Sequence, residues 1–257
     1  MGKIILLVDN SNIFIAGKET YGINARFSYE KFETICTESD IIVEKHLAGS
    51  TPPSNDAFWD KMERKGYRVH TYERVSAGYG HKKEKAVDMV LGVLGAAAIQ
   101  KIKPDRVVLL TGDRDFIPIA KLRDEMKKEQ GYSFVLDVWA FTEALSSELE
   151  RVCNRVFKIE DYKEELVYFQ YENGITESFA EKEARIALEK KQREEYSYAE
   201  KKKKSEEEKL AQEERKQFWI GVAKITPWAI GVGTIITLGK NNKLGKMIVR
   251  TIKNRIR

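Results

Sequence analysis

Cysteine, histidine and proline are scarce in this 257-residue chain, which has two, three and five of them respectively. The two cysteines, Cys36 and Cys153, have neither the spacing of a zinc site nor that of a disulfide framework. The opening stretch MGKIILLVDN has the pattern of a strand and lacks the features of a secretory leader. These absences argue against a disulfide-stapled secreted domain, and we expect a cytoplasmic protein.

Acidic residues are missing altogether after Glu214. The ten basic residues beyond that point give the tail a charge of +10. Since the net charge of the whole chain is +5, the first 214 residues carry a net charge of −5. The basic balance therefore belongs to the tail and not to the main domain. A high overall isoelectric point cannot by itself be used to infer nucleic-acid binding.

Short apolar, β-branched runs alternate with helical stretches along residues 1–161. The runs predicted as strands are 3–9, 40–47, 67–73, 106–112, 134–140 and 155–160. The stretches predicted as helices are 28–37, 54–66, 84–102, 116–131 and 142–154. This alternation is typical of βαβ units, so we expect an α/β fold with a central, mainly parallel sheet covered on both faces.

The composition changes between Gly174 and Gly221, where there is no proline or glycine and charged residues dominate. Residues 174–217 are predicted to form a long charged helix, acting either as a spacer or as a coiled coil, although the apolar positions keep no clean heptad. The following segment, 218–238, has the length of a membrane span but contains Lys224 and Pro227.

A membrane span at 218–238 would conflict with the basic tail at 240–257, which should stay on the cytoplasmic side and would place the main domain outside. A buried oligomerisation segment, a re-entrant hairpin or an interfacial anchor avoids this conflict. We therefore predict a main domain over 1–165, a helical linker over 174–217, and a segment over 218–257 for homo-oligomerisation or membrane association. A true span remains an alternative.

Carboxylates follow two of the predicted strands and start one of the helices. Asp9 ends the first strand, Asp113 and Asp115 follow the fourth in LLTGDRDF, and Asp88 lies near the start of a helix in EKAVDM. Ligands of open α/β sheets bind at the carboxyl ends of strands, where the strand order reverses. If the first and fourth strands are neighbours, these acids meet, and such a cluster suits a hard cation such as Mg²⁺ or Mn²⁺. A carboxylate-held ion can activate water for attack on a phosphate.

Each aspartate also has a simpler interpretation. A single aspartate after a strand is usually a turn or helix-cap residue, and Asp115 could cap the helix predicted to begin at Phe116. The joint pattern of a strand-ending D-N-x-N, a helix-borne V-D and a strand-ending G-D-x-D-F is more specific than any one of its parts.

The motifs VDNSN (8–12), EKAVDM (84–89), LLTGDRDFIPI (109–119) and ALSSEL (144–149) resemble the NYN domain of the PIN-like nuclease superfamily, in its LabA-like branch. The resemblance covers about residues 1–160. It implies a compact α/β/α sandwich and a metal-dependent endonuclease that most often acts on RNA and leaves a 5′-phosphate. It also implies that the metal-binding acids are Asp9, Asp88, Asp113 and Asp115.

The resemblance further matches Asn10 and Asn12 to the polar residues beside the first acid, and we predict that both contact substrate. Two departures from the family pattern put catalytic strength in doubt. Many members carry another acid in the helix at about the place of Leu94, and a late aspartate before the last strand is replaced by Asn154.

Basic residues in the stretch GYGHKKEKAVD (78–88) and between Asp113 and Asp115 are candidates for contact with substrate phosphates. They are Lys82, Lys83, Lys85 and Arg114. Solvated surface charge is the alternative. The function predicted is hydrolysis of RNA, or of DNA, by an endonuclease with Mg²⁺ or Mn²⁺. The alternatives from other classes are a catalytically weak nucleic-acid-binding or regulatory scaffold and a membrane-anchored adaptor.

Overall fold

The computed structural model describes residues 1–50, 57–72 and 88–221 in full, and the backbone of 75–77, 81–83, 85–87 and 222–225. Within these residues the strands are β1 (Lys3–Asp9), β2 (Ala25–Phe27), β3 (Ile41–Ser50), β4 (Arg68–Tyr72), β5 (Val75–Ala77), β6 (His81–Lys83), β7 (Arg106–Leu110), β8 (Val135–Ala140), β9 (Arg155–Lys158), β10 (Val167–Gln170) and β11 (Thr176–Ser178). The α-helices are α1 (Asn10–Tyr21), α2 (Tyr29–Thr37), α3 (Phe58–Arg64), α4 (Lys85–Ile102), α5 (Ile117–Gln130), α6 (Ser147–Val152), α7 (Lys163–Leu166) and α8 (Phe179–Ile225).

Six strands form the central sheet, in the order β4-β3-β1-β7-β8-β9, and every neighbouring pair is parallel. These are the six strands that the apolar runs predict, so the α/β fold with a mainly parallel sheet is confirmed. Residues 4–8 of β1 are fully buried because both faces of the strand are covered. Ile4, Leu6 and Val8 pack in one core, and Ile5 and Leu7 pack in the core on the other face.

Helix α1 was not predicted from the sequence. Its first turn, Asn10-Ser11-Asn12, resembles a turn sequence, and its buried face is short, with only Ser11, Ile13 and Ala16 buried. The prediction of one helix over 142–154 was also wrong. A 3₁₀ turn at Thr142–Ala144 is separated from α6, because the side chain of Ser146 caps α6 by accepting from the N–H groups of Glu148 and Leu149.

A second, antiparallel sheet, β11-β10-β2, was also missed. Val167 and Phe169 of β10 belong to the core that contains Ile4, Leu6 and Val8 of β1. The compact unit that contains the central sheet accordingly runs from Met1 to Ile186, past the predicted boundary at residue 165.

The second unit is Ala187–Arg257, and its described part is the remainder of α8. The predicted charged helix is present, and it begins at Phe179 because Thr176–Ser178 pair with β10. Lysine–glutamate pairs at i and i+4 spacing, such as Lys202–Glu206 and Lys203–Glu207, lie along its surface.

None of the helices in the described part of the chain has the length and apolar character needed to cross a membrane. Residues 226–257 lie outside the described residues, and they contain most of the 218–238 segment and all of the basic tail. Membrane association and homo-oligomerisation through this segment therefore stay predictions.

A buried ionic cluster lies at the amino-terminal edge of the central sheet, opposite the edge where the carboxyl ends of β1 and β7 lie. Asp137 of β8 is fully buried and accepts hydrogen bonds from Arg106 of β7 and from Arg155 of β9. Arg106 also reaches Asp40, at 3.2 Å. Each charge in this cluster has a partner of opposite sign, as buried charges require.

Candidate metal centre

The carboxyl ends of β1 and β7 lie side by side. The two strands pair in parallel with Val8 opposite Leu110, so Asp9 and Thr111 leave the sheet as neighbours. After β1 the chain adds β3 and β4 on one side of β1. It then returns and adds β7, β8 and β9 on the other side, so the strand order reverses between β1 and β7. This is the position at which open α/β sheets bind ligands.

Three carboxylates converge at this edge. One oxygen from each of Asp88, Asp113 and Asp115 lies within 4.8 Å of the others, and we call these three residues the acidic cluster. Asp88 and Asp113 are half-buried and Asp115 is exposed. No other group of three potential ligand side chains this close together occurs among the described residues.

Close packing of α4 against β1 brings Asp88 to this edge. A Cβ at Gly95 would lie 2.6 Å from Cδ1 of Leu7, so this position of α4 has no room for a side chain against β1. Asp88 precedes Gly95 by seven residues, or about two helical turns, and therefore projects from the same face of α4. The helix runs antiparallel to the strands, so its first turn lies at their carboxyl ends.

The turn that carries Asp113 and Asp115 is fixed from two sides. The N–H of Gly112 donates to Oδ1 of Asn12 at 3.1 Å, and its carbonyl accepts from the N–H of Ser146 at 2.8 Å. A Cβ at Gly112 would lie 2.2 Å from the carbonyl oxygen of Ala144. Gly112 is therefore required by the close approach of the 144–146 backbone, which is how the ALSSEL stretch supports the site.

Capping falls on Asp113 and not, as the sequence had suggested, on Asp115. Oδ1 of Asp113 accepts from the N–H of Asp115 at 2.9 Å, which starts the 3₁₀ turn Arg114–Phe116. This bond uses one carboxylate oxygen, and the second oxygen of Asp113 has lone pairs for a cation.

Asp9 lies behind the acidic cluster and is not one of its three members. Its side chain is 3% exposed and accepts from the N–H of Asn12 at 3.1 Å and from the hydroxyl of Thr111 at 3.2 Å. Burial raises the pKa of the Asp9 carboxyl from its ordinary 3.8 to about 7; the two hydrogen bonds oppose this rise, and Asp88 and Asp113 add to it. The predicted four acids are thus three grouped carboxylates and a buried fourth that is coupled to them.

Thr111 was not among the residues predicted from the sequence. Its hydroxyl donates to Asp9 and accepts from the N–H of Asp113 at 3.2 Å, so it connects β1 to the acidic turn. A hydroxyl residue placed between an apolar strand and an acidic turn is a signal that could have identified it.

The two asparagines predicted to touch substrate make bonds within the protein. Oδ1 of Asn10 accepts from the hydroxyl of Tyr29 at 2.7 Å, and Oδ1 of Asn12 holds the N–H of Gly112. Between them, Ser11 is buried and bonds to Ser50 at the end of β3. The oxygens of both asparagines thus fix α1 to its surroundings, and contact of their amide nitrogens with substrate stays a prediction.

The predicted basic contacts are placed in part. Arg114 is exposed in the 3₁₀ turn between the two cluster acids. The backbones of Lys82 and Lys83 belong to β6 and that of Lys85 starts α4, but their side chains lie outside the described residues. Their contact with phosphates stays a prediction.

The two departures from the family pattern differ in weight. Oδ1 of Asn154 accepts from the N–H of Leu136, at the start of β8, and from Arg123. Asn154 therefore lies at the amino-terminal edge of the sheet, a strand length away from the acidic cluster, and its replacement of an acid removes nothing from the site. Leu94 is half-buried on α4, the helix that carries Asp88, so this departure does remove an acid from a helix of the site.

Substitution of Asp9 by asparagine is expected to change how stability depends on pH. The raised pKa means that the folded state binds the Asp9 proton more tightly than the unfolded chain does. Stability from this group is thus present near pH 4 and lost as pH rises through about 7. Asparagine cannot ionise, so Asp9→Asn should raise the melting temperature of the metal-free protein at about pH 8 by roughly 10 °C and leave it little changed at about pH 4, near the pKa of the unfolded chain.

Thermal unfolding in EDTA at both pH values measures this effect. Asp124→Asn, at an exposed carboxylate on α5, is the control and should follow the wild type at both pH values. If the melting temperatures of the wild type and Asp9→Asn depended on pH in the same way, the pKa of Asp9 would not be raised in the folded protein.

Comparison with protein families matches the NYN domain over residues 3–160, about three-fifths of the chain. The chain belongs to the NYN domain family. The NYN domain suggests a nuclease of the PIN-like superfamily, and the acidic cluster of this NYN domain could bind a metal ion. The match ends just before the strands β10 and β11 and does not include α8.

Comparisons with individual proteins add less. No curated protein matches the chain. Among solved structures, the chain is similar to a protein of unknown function from Vibrio parahaemolyticus, with 21% sequence identity and a TM-score of 0.48. The similarity covers 62% of this chain and 94% of the other.

Proposed function

We propose that this protein is a metal-dependent endonuclease that hydrolyses RNA phosphodiester bonds. The observation that carries the proposal is the acidic cluster. Three carboxylates from two separate elements meet at the point where the strand order reverses, within 4.8 Å of one another. Three negative charges this close repel one another unless a cation or protons compensate them, which marks a functional site more than a structural one.

The donor set fits Mg²⁺ or Mn²⁺. Both ions favour oxygen ligands, and Mg²⁺ is held in proteins by one or two carboxylates together with water and substrate phosphates. Opposite ligands of an octahedral Mg²⁺ lie about 4.2 Å apart, because each Mg–O distance is about 2.1 Å. The oxygens of Asp88, Asp113 and Asp115 therefore need only small shifts to share one ion. An ion held there would polarise the phosphate and lower the pKa of a water molecule.

The residues around the cluster divide the remaining tasks. Asp9 adds negative charge behind the cluster when it is ionised, and Thr111 keeps that carboxylate oriented. Arg114 is exposed beside the acids and can neutralise a substrate phosphate that would otherwise be repelled. Asn12 and Gly112 keep α1 and the acidic turn in register, so the carboxylates are held before substrate arrives.

A cleavage assay with the full-length protein tests this proposal. Labelled single-stranded RNA, single-stranded DNA and duplex RNA are each incubated with Mn²⁺, with Mg²⁺ and with EDTA. We expect internal cleavage of RNA that leaves a 5′-phosphate, requires a divalent ion and is faster than cleavage of DNA. Cleavage of DNA alone would refute the RNA assignment. Absence of cleavage of every substrate with either ion would refute the nuclease and favour the binding scaffold, for which the missing acid at Leu94 is the motivation.

A further inference from the structure

Two cations and an aromatic ring form a patch on the outer side of α1. Nζ of Lys18 lies 3.9 Å from the ring centroid of Phe14, and the guanidinium of Arg26, on β2, lies 5.7 Å from it. The Phe14 side chain is 39% exposed although it is a large apolar group. We call Phe14, Lys18 and Arg26 the α1 patch.

The geometry of the α1 patch keeps its charges together. Nη1 of Arg26 donates to the carbonyls of Ile23 and Ala25, at 2.9 Å in each case. These bonds fix the guanidinium through one of its nitrogens, and a guanidinium has five N–H donors in all. The ring of Phe14 attracts both cations through its negative face, which offsets the repulsion between them.

The α1 patch lies on the helix that begins at the candidate metal centre. Asp9 caps α1, and Asn12 in its first turn holds the acidic turn through Gly112. Phe14 follows Asp9 by five residues, which is about 8 Å along the helix axis, and Lys18 lies about 6 Å further. The spacing along the axis of α1 is therefore short enough to be spanned by a few nucleotides.

The negative charge of the domain indicates why cations near the site would matter for binding nucleic acid. The first 214 residues carry −5, and the acidic cluster adds local repulsion against phosphates. A nucleic acid can approach such a site only along a path where cations meet its backbone. Single-strand binding surfaces combine such cations with an exposed aromatic ring that can stack on a base.

We propose that the α1 patch binds the single-stranded segment of RNA that flanks the cleaved bond, with Lys18 and Arg26 turning from the Phe14 ring to phosphates and the ring then stacking on a base. This inference rests on the proposed function and adds to it a surface on the α1 side. The lysines at 82, 83 and 85, which the sequence suggested for phosphate contact, belong to a different part of the domain.

Fluorescence anisotropy with labelled single-stranded RNA tests the α1 patch. The full-length protein is used in EDTA, so that no strand is cut, and the dissociation constant is measured across a range of salt concentrations. Lys18→Gln and Arg26→Gln are each expected to weaken binding by about fivefold, the upper range for an exposed ion pair. Each should also lower the slope of log K against log salt by about 0.7, the value for one phosphate contact on a single strand.

Two further variants make the result specific. Phe14→Leu removes the ring without changing the charge, so it should weaken binding by at least about fivefold, as expected for a lost base stack. Lys128→Gln removes a charge from the exposed last turn of α5, at the opposite edge of the sheet, and should change neither affinity nor slope. Melting temperatures check that each variant is folded, and Lys18→Gln is decisive if Arg26→Gln disturbs β2.

The outcomes separate this inference from the proposed function. An RNA-binding wild type whose affinity and salt slope are unchanged by Lys18→Gln and Phe14→Leu would overturn the α1 patch, and so would a wild type that does not bind single-stranded RNA. A wild type that binds through the patch but cleaves nothing with Mn²⁺ would support the patch and overturn the nuclease. Parallel cleavage assays should show a raised KM and a nearly unchanged kcat for the patch variants.

Discussion

Replacement of Asp113 by asparagine is expected to lower RNA cleavage by at least about a hundredfold, with little loss of stability. Asparagine keeps the oxygen that accepts from the N–H of Asp115, so the 3₁₀ turn remains capped. It removes one of three charges that are placed to hold a cation. Asp88→Asn should have a comparable effect because Asp88 belongs to the same cluster on a different helix.

The controls for Asp113→Asn distinguish loss of chemistry from loss of binding. RNA affinity in EDTA should be unchanged or higher, because a negative charge beside the phosphates has been removed. Asp124→Asn alters a carboxylate on the same domain, at the surface of α5, and should cleave RNA like the wild type. Full activity of both Asp113→Asn and Asp88→Asn would place the chemistry elsewhere on the domain.

Replacement of Asp137 by alanine is expected to lower the free energy of unfolding by about 3–5 kcal/mol. Asp137 is fully buried and bonds to the guanidinium groups of Arg106 and Arg155, at 2.7 to 3.1 Å. Its removal leaves Arg106, itself 7% exposed, with the weaker partner Asp40. The cost arises chiefly from the uncompensated buried charge and less from the lost bonds themselves.

Urea unfolding of Asp137→Ala measures this loss, and Asp124→Ala supplies a matched comparison. Asp124 also pairs with an arginine, Arg123, at 2.8 Å, but its carboxylate is largely exposed. The loss for Asp124→Ala should stay below about 1 kcal/mol. Equal losses in the free energy of unfolding for the two variants would mean that burial does not increase the contribution of the Asp137 ion pairs to stability.

The central sheet could be predicted because its strands have a recognisable pattern in the sequence. A strand buried on both faces needs a nearly continuous apolar run, and ILLV in β1 and VVLL in β7 are such runs. The same reasoning placed Asp9 beside Asp113 and Asp115, since neighbouring parallel strands end at one edge, but it did not predict that Asp9 would be buried behind the cluster. Carboxylate oxygens of Asp88, Asp113 and Asp115 lie within 4.8 Å of one another, and the role of these residues as metal ligands stays a prediction.

The parts that could not be predicted depend on contacts between distant residues. Helix α1 begins with Asn10-Ser11-Asn12, whose side chains bond to Tyr29, Ser50 and Gly112, and none of these partners can be recognised from the local sequence. The strands β2, β10 and β11 are three or four residues long, too short for a clear alternating pattern. The burial of Asp9 and the capping by Asp113 likewise depend on how the turn after β7 packs.

Anomalous diffraction from a crystal grown with Mn²⁺ tests the central claim most directly. We expect a manganese peak bounded by carboxylate oxygens of Asp88, Asp113 and Asp115, each at about 2.1 Å, and no such peak in a crystal of Asp113→Asn. A fully occupied manganese site elsewhere on the domain, with the three carboxylates bonded only to water or protein, would contradict it.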